Sequence, residues 1–197
     1  MQQIQNFFSS TTNRLVAITV VIYFVMQGIF AGRLSGFELY PWASSEFEYW
    51  QLISHIFLHG SISHLAFNMI GLWSFGRVLE RVWGGQRFIY FYLICGVGAA
   101  ILHLVVSGPY SVAVGASGAL YGVLVAFALL FPNFKIMLIF LPIPIAAKYF
   151  VPVLLLIDLS AGITGVAIFG QNIAHFAHIG GALAGFLLVT FWLKKAS

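Results

Sequence analysis

The sequence predicts an all-α polytopic membrane protein, a bundle of six transmembrane helices forming one domain over residues 1–197. Hydrophobic residues make up 61% of the chain and charged residues 7%, whereas a soluble domain needs roughly a quarter charged residues for a surface that faces water. Apolar runs recur from near the N-terminus to Trp192, so removal of one leader segment would not change the class. A crossing helix takes about 20 apolar residues, which leaves 197 residues room for six crossings with short loops. No linker or appended extramembrane module is expected.

Apolar runs between polar, Gly and Pro boundaries place the helices at residues 15–32, 62–80, 88–106, 117–131, 150–168 and 173–193. With the N-terminus inside, Arg14, Arg77, Arg81, Arg87, Lys135, Lys148, Lys194 and Lys195 all fall on the cytoplasmic side and Arg33 alone lies outside. That is the distribution the positive-inside rule demands, and it puts both termini in the cytoplasm. The long outer loop, residues 33–59, carries Trp42, Trp50, Glu38, Glu46 and Glu48 and reads as an interfacial segment lying on the membrane. Residues 134–145, interrupted by Pro142 and Pro144, read as a cytoplasmic connection partly buried against the core.

Several function classes fall away. The net charge of +4 is scattered between apolar runs and forms no basic stripe with interleaved aromatics, so no nucleic-acid partner is expected. Cys95 is the single cysteine, which excludes an intrachain disulfide, and its apolar run makes it a packing residue. No internal repeat of the transporter kind is present.

Polar side chains in hydrocarbon are costly unless partnered, so those inside predicted helices are candidates for function. Gly115, Ala116, Ser117 and Gly118 stand where the outer loop enters the fourth helix. Glycines on both sides of Ser117 allow a tight turn and put a hydroxyl at a helix N-terminus with free N–H groups, as an acyl-transfer nucleophile and its oxyanion site require. The same serine would also serve as an ordinary N-cap, and no preceding strand makes it a GxSxG elbow. In the sixth helix, His178, Gly181 and Gly185 share a face at spacings of three and four. Gly118 and Gly122 make a matching small-residue face on the fourth. Both helices begin on the outer side, so Ser117 and a general base at His178 lie at similar depth, with Tyr121 one turn below Ser117 and able to pack on the imidazole.

The second helix carries Ser61, His64, Asn68 and Gly71 as a polar and small stripe. Side-chain donors at His64 and Asn68 suit a developing oxyanion, and interhelical hydrogen bonding would use them equally well. His55 and His59 are spaced i, i+4, which is also metal-ligand spacing, but no carboxylate or cysteine completes a site and they read as structural, as does His103. Glu80 beside Arg77 and Arg81 reads as a helix-end pair. Asp158 is an intramembrane acid with no assignable partner, so no third member of a triad is named.

Taken together, His64 with Asn68, Gly115-Ala116-Ser117-Gly118 with Tyr121 and Gly122, and Ala177-His178 with Gly181 and Gly185 resemble the motifs of the rhomboid family of intramembrane serine proteases. The three stand in the family's order, each on the helix where the family keeps it. Aligning its A-H-x-x-G-x-x-x-G pattern on Ala174-His175 would put His178 and Ala182 where glycines belong, so His178 is the match and His175 a packing neighbour. Gly76, Glu80 and Gly84 also fit, whereas Gln51 after Trp50 stands where many members have arginine. The chain thus resembles the family's minimal six-helix core.

The resemblance implies Ser117 as nucleophile, His178 as general base and acid, and the Ser117 backbone N–H with His64 and Asn68 as oxyanion stabilisers. Gly115, Gly118, Tyr121, Gly181 and Gly185 would support them. It implies a Ser-His dyad hydrolysing peptide bonds in or near transmembrane segments of protein substrates, in the cell membrane, with no metal or organic cofactor. Two other readings fit the same residues: a rhomboid-like protein that binds membrane clients without cutting them, and a metal or haem protein using His55, His59, His64, His175 and His178.

Overall fold

The computed structural model describes residues 9–29, 36–108, 110–138, 141–165 and 174–196. Helix α1 spans Thr11–Ile29, and the following loop contains a short helix α2 (Gln51–Ser54) and a 3₁₀ turn (His55–Phe57). Helix α3 (Ile62–Gly71) runs through a π-turn (Leu72–Gly76) into α4 (Arg77–Trp83). Then come α5 (Gly85–Val106), α6 (Ser117–Leu130), strands β1 (Lys135–Leu138) and β2 (Leu141–Ala146), α7 (Ala147–Thr164) and α8 (His175–Ala196).

Among the described residues, α5, α7 and α8 are long and apolar enough to cross a membrane. Phe24, Leu156, Ile163 and Leu187 stay exposed, as side chains facing lipid do, while Phe88, Phe91, Tyr92 and Phe127 are fully buried between helices. The protein is an integral membrane protein of the all-α class. Helix α6 is equally apolar but has 14 residues. At 1.5 Å per residue it covers about 21 Å, less than the ~30 Å hydrocarbon slab, so at least one end lies within the slab.

Helices α5, α6 and α8 form the centre of the bundle, and small residues let them approach. A Cβ on Gly122 would stand 2.8 Å from the carbonyl oxygen of Gly181, and one on Gly185 only 2.7 Å from the Cα of Gly122. Between α5 and α8, a Cβ on Gly98 would meet that of Ala184 at 2.6 Å. Such contacts meet backbone atoms, or in Ala184 a Cβ fixed by the backbone, where no rotamer change makes room.

The end of α4 is tied to the start of α1 through Glu80. Its carboxylate accepts from the backbone N–H of Thr11 (2.6 Å) and Thr12 (2.9 Å) and from the hydroxyls of Ser10 and Thr12 (both 2.7 Å). A carboxylate from another helix therefore caps α1, satisfying two of its first backbone N–H groups. The sequence suggests Glu80 as a helix-end pair with Arg77 and Arg81; its hydrogen bonds go instead to Ser10, Thr11 and Thr12 at the start of α1.

The connection at residues 134–145 differs from expectation in form. It is an antiparallel hairpin that pairs Lys135 with Ala146 and Ile136 with Ile145. Ile136 is buried, whereas Met137 and Ile143 on the hairpin are exposed. Pro142 and Pro144 alternate along one strand of this two-stranded sheet, where a missing N–H need break no ladder bond.

Candidate active site

The chain entering α6 is held from the loop that precedes α3. Leu39 and Ala113 exchange two backbone hydrogen bonds of 3.0 Å. The Gly115 N–H donates to the carbonyl of His55 at 2.9 Å, and the Ala116 N–H points to His59 Nε2 at 3.5 Å. Gly115 has φ of +123°, a backbone region that other residues rarely adopt, and a Cβ there would lie 2.7 Å from Cε1 and Nε2 of His64. Only glycine allows His64 to come this close to the residues before Ser117.

Ser117 is the first residue of α6, and its Oγ lies 2.8 Å from Nε2 of His178 on α8. The His178 ring stacks on Tyr121, with centroids 4.3 Å apart and planes 9° apart. On its other nitrogen, Nδ1 is 3.0 Å from Oδ1 of Asp158. The same Oδ1 stands 2.6 Å from Nδ1 of His175, and Tyr121 donates its hydroxyl to Oδ2. Asp158, on α7, is 2% exposed. A buried carboxylate needs such donors because each unmet hydrogen bond there costs on the order of kilocalories.

Asp158 is the residue the sequence left without a partner. Its signal was visible as an acid inside an apolar helix, but its neighbours lie 17, 20 and 37 positions away along the chain. Helical spacing carries no information across such separations. His175, read as a packing neighbour, is hydrogen-bonded into the same cluster.

The remaining predicted residues fall around this centre. Gly118 packs on the backbone of Ala177, and Gly181 and Gly185 pack on Gly118 and Gly122. Asn68 is buried and donates through Nδ2 to the His64 carbonyl at 2.9 Å, one turn back on α3. That leaves it a second N–H. His55 and His59 anchor the loop: His55 Nδ1 bonds the Gln51 carbonyl at 2.7 Å, and burial pushes the pKa of His55 down to about 4 and that of His59 to about 3. Gln51 is fully buried and ties Tyr40 N–H and the Glu46 carbonyl together, so a neutral amide organises this loop. His103 secures the turn after α5 through Ser107 and Ser111. Among the described residues, the metal-ligating atoms that converge, within 4.8 Å of one another, belong to Asp158, His175 and His178; His55 and His59 are not part of that group.

A family model described as the rhomboid domain matches residues 46–195, which contain every residue of this cluster. The chain belongs to the rhomboid family. Its rhomboid relatives include the rhomboid protease GluP of Bacillus subtilis (strain 168), 33% identical over 189 residues, covering 92% of this chain and 34% of that protein. Rhomboid protein 1, mitochondrial, of Saccharomyces cerevisiae (strain ATCC 204508 / S288c) is 33% identical over 153 residues, 74% of this chain and 42% of that one. RHOMBOID-like protein 5 of Arabidopsis thaliana is 38% identical over 145 residues, 73% and 44% respectively. The chain thus spans less than half the length of each of these rhomboid proteins.

Proposed function

We propose that this protein is an intramembrane serine endopeptidase that hydrolyses peptide bonds in or near transmembrane segments of other membrane proteins. The observation that carries the reading is the 2.8 Å contact between Ser117 Oγ and His178 Nε2 in a chain of the rhomboid family. A serine hydroxyl at its free pKa is a weak nucleophile, and an imidazole nitrogen at hydrogen-bond distance is what activates it.

Ser117 Oγ attacks the scissile carbonyl carbon while its proton passes to His178 Nε2. The tetrahedral oxyanion is met by the Ser117 backbone N–H, by His64 beside Gly115 and by the free N–H of Asn68. The C–N bond breaks as His178 returns the proton to the leaving nitrogen, which leaves an acyl ester on Ser117. Water then adds to that ester and gives a proton to His178. The C–O bond to Ser117 breaks, the acid product leaves, and the proton goes back to Oγ. The short span of α6 is compatible with a site at Ser117 below the membrane surface, and substrates would then expose a carbonyl that a continuous helix would keep hydrogen-bonded, favouring segments with helix-weakening residues near the cut.

On this reading the chain is a single six-helix domain in the cell membrane, and the placement of its basic residues favours both termini on the cytoplasmic side with the site toward the outer face. The test is cleavage of a panel of single-span membrane proteins by purified protein, with Ser117→Ala and His178→Ala alongside. Cleavage lost in both folded variants supports the proposal. Cleavage that survives Ser117→Ala overturns it, and client binding without cleavage by the wild type points to a non-catalytic binder.

A further inference from the structure

Nδ1 of His175 and Nδ1 of His178 both lie within hydrogen-bond distance of Asp158 Oδ1, and the Tyr121 hydroxyl donates to Oδ2; an ionised carboxylate accepts from all three, with each imidazole carrying a proton on Nδ1. A neutral imidazole with its proton on Nδ1 keeps its lone pair on Nε2. In His178 that is the atom facing Ser117 Oγ. The carboxylate thereby selects the one neutral tautomer that can take a proton from Ser117.

We propose that Asp158 is a positioning residue for the reaction at Ser117, holding His178 in its proton-accepting tautomer and facing the imidazolium that forms when the proton is transferred. The proposal deepens the function given above and rests on it. Two arrangements keep the carboxylate in place. His175 and Tyr121 occupy it from α8 and α6, so its position is fixed from two helices besides its own. Gly162, one turn after Asp158, lets α7 close on the start of α8: a Cβ there would stand 3.2 Å from His175 Cβ and from Phe176 Cζ. The positive charge created on His178 during proton transfer is then met at 3.0 Å by a negative charge, with both side chains buried, where such an interaction is stronger than in open solvent.

The test measures kcat and KM for cleavage of a single-span substrate by wild type, Asp158→Asn and Asp158→Glu in one detergent. Asparagine keeps the shape but can present an N–H to Nδ1, which favours the wrong tautomer. Asp158→Asn is expected to lower kcat by roughly 10²- to 10⁴-fold with KM changed less than about threefold, and Asp158→Glu to recover at least about tenfold of the loss. A folded Asp158→Asn protein with kcat within about threefold of wild type overturns the proposal, as does a loss carried by KM. A readout independent of variant folding is the ¹⁵N spectrum of the histidines in wild type, with His178 assigned by comparison with Ser117→Ala, which perturbs its Nε2 environment. Protonated Nδ1 and bare Nε2 support the proposal, and the opposite tautomer overturns it. Wild-type protein that cleaves while Asp158→Asn is unaffected sinks this proposal alone; wild type without cleavage sinks the hydrolase reading and this one with it.

Discussion

His178 lies flat on Tyr121, ring centroids 4.3 Å apart, and the hydroxyl of that same tyrosine donates to the carboxylate that receives His178 Nδ1. One residue therefore restrains the imidazole twice, by stacking on its face and by holding its acceptor. The two restraints separate by mutation. Tyr121→Phe keeps the stack and removes the donor, leaving a buried carboxylate oxygen unmet, and should cost about 1–3 kcal/mol of stability. Tyr121→Ala removes both and should lower cleavage further than Tyr121→Phe at equal protein folding. Thermal denaturation and kcat on the two variants check the order.

Gly185 meets Gly122 through backbone atoms, with 2.7 Å available to an added Cβ. Gly185→Ala must push α6 and α8 apart and should destabilise by roughly 1–3 kcal/mol. Because those helices carry Ser117 and His178, cleavage should fall more steeply than the folded fraction does. Activity per folded molecule, with folding followed by circular dichroism, is the readout.

The cap on α1 makes a separate prediction. Glu80→Gln preserves size but replaces a charged acceptor of four hydrogen bonds by an amide with one carbonyl oxygen. Hydrogen bonds to charged groups contribute about 1.5–3 kcal/mol each at most and share one desolvation cost, so a loss of about 2–3 kcal/mol is expected. Thermal denaturation should register it, with α1 more open to proteolysis near Ser10 than in wild type.

Acid should loosen the loop that leads into α6. His55 and His59 are buried with folded-state pKa values near 4 and 3, against 6.5 when unfolded. Between those values the unfolded chain binds protons that the folded chain refuses, so stability is full above about pH 6.5 and falls as pH drops. His103 faces His55 and His64 faces His59, and a proton on either neighbour adds repulsion in the same direction. At pH 5 each buried histidine should cost on the order of 1–2 kcal/mol relative to pH 7. His59→Gln should show a shallower decline in melting temperature over that range.

The sequence carried the class and the helix positions because lipid enforces long apolar runs with sharp polar ends: the run placed at 117–131 forms Ser117–Leu130, and that at 88–106 forms Gly85–Val106. The helix ends placed at residues 32 and 168 and the start placed at 173 lie outside the described residues, while the run placed from 150 begins earlier, at Ala147, and its helix closes at Thr164 with Gly165 as a left-handed cap. Two features were hidden for stated reasons. The hairpin at 135–146 has no periodicity to read, since its prolines break the pattern that would mark strands. The Asp158 cluster depends on how α6, α7 and α8 are rotated against one another, and spacing within a helix does not report rotation between helices. Glycine spacing on α6 and α8 does mark which faces meet, and that is why Ser117 and His178 could be named from sequence while Asp158 could not.

The central claim is that Ser117 is a nucleophile activated by His178, and covalent trapping tests it most directly. Purified protein treated with a small fluorophosphonate should carry one phosphonyl group, located to Ser117 by peptide mass spectrometry, and folded His178→Ala should lose that modification. Ser117 left unmodified in folded wild-type protein, or labelled equally well without His178, would contradict the account.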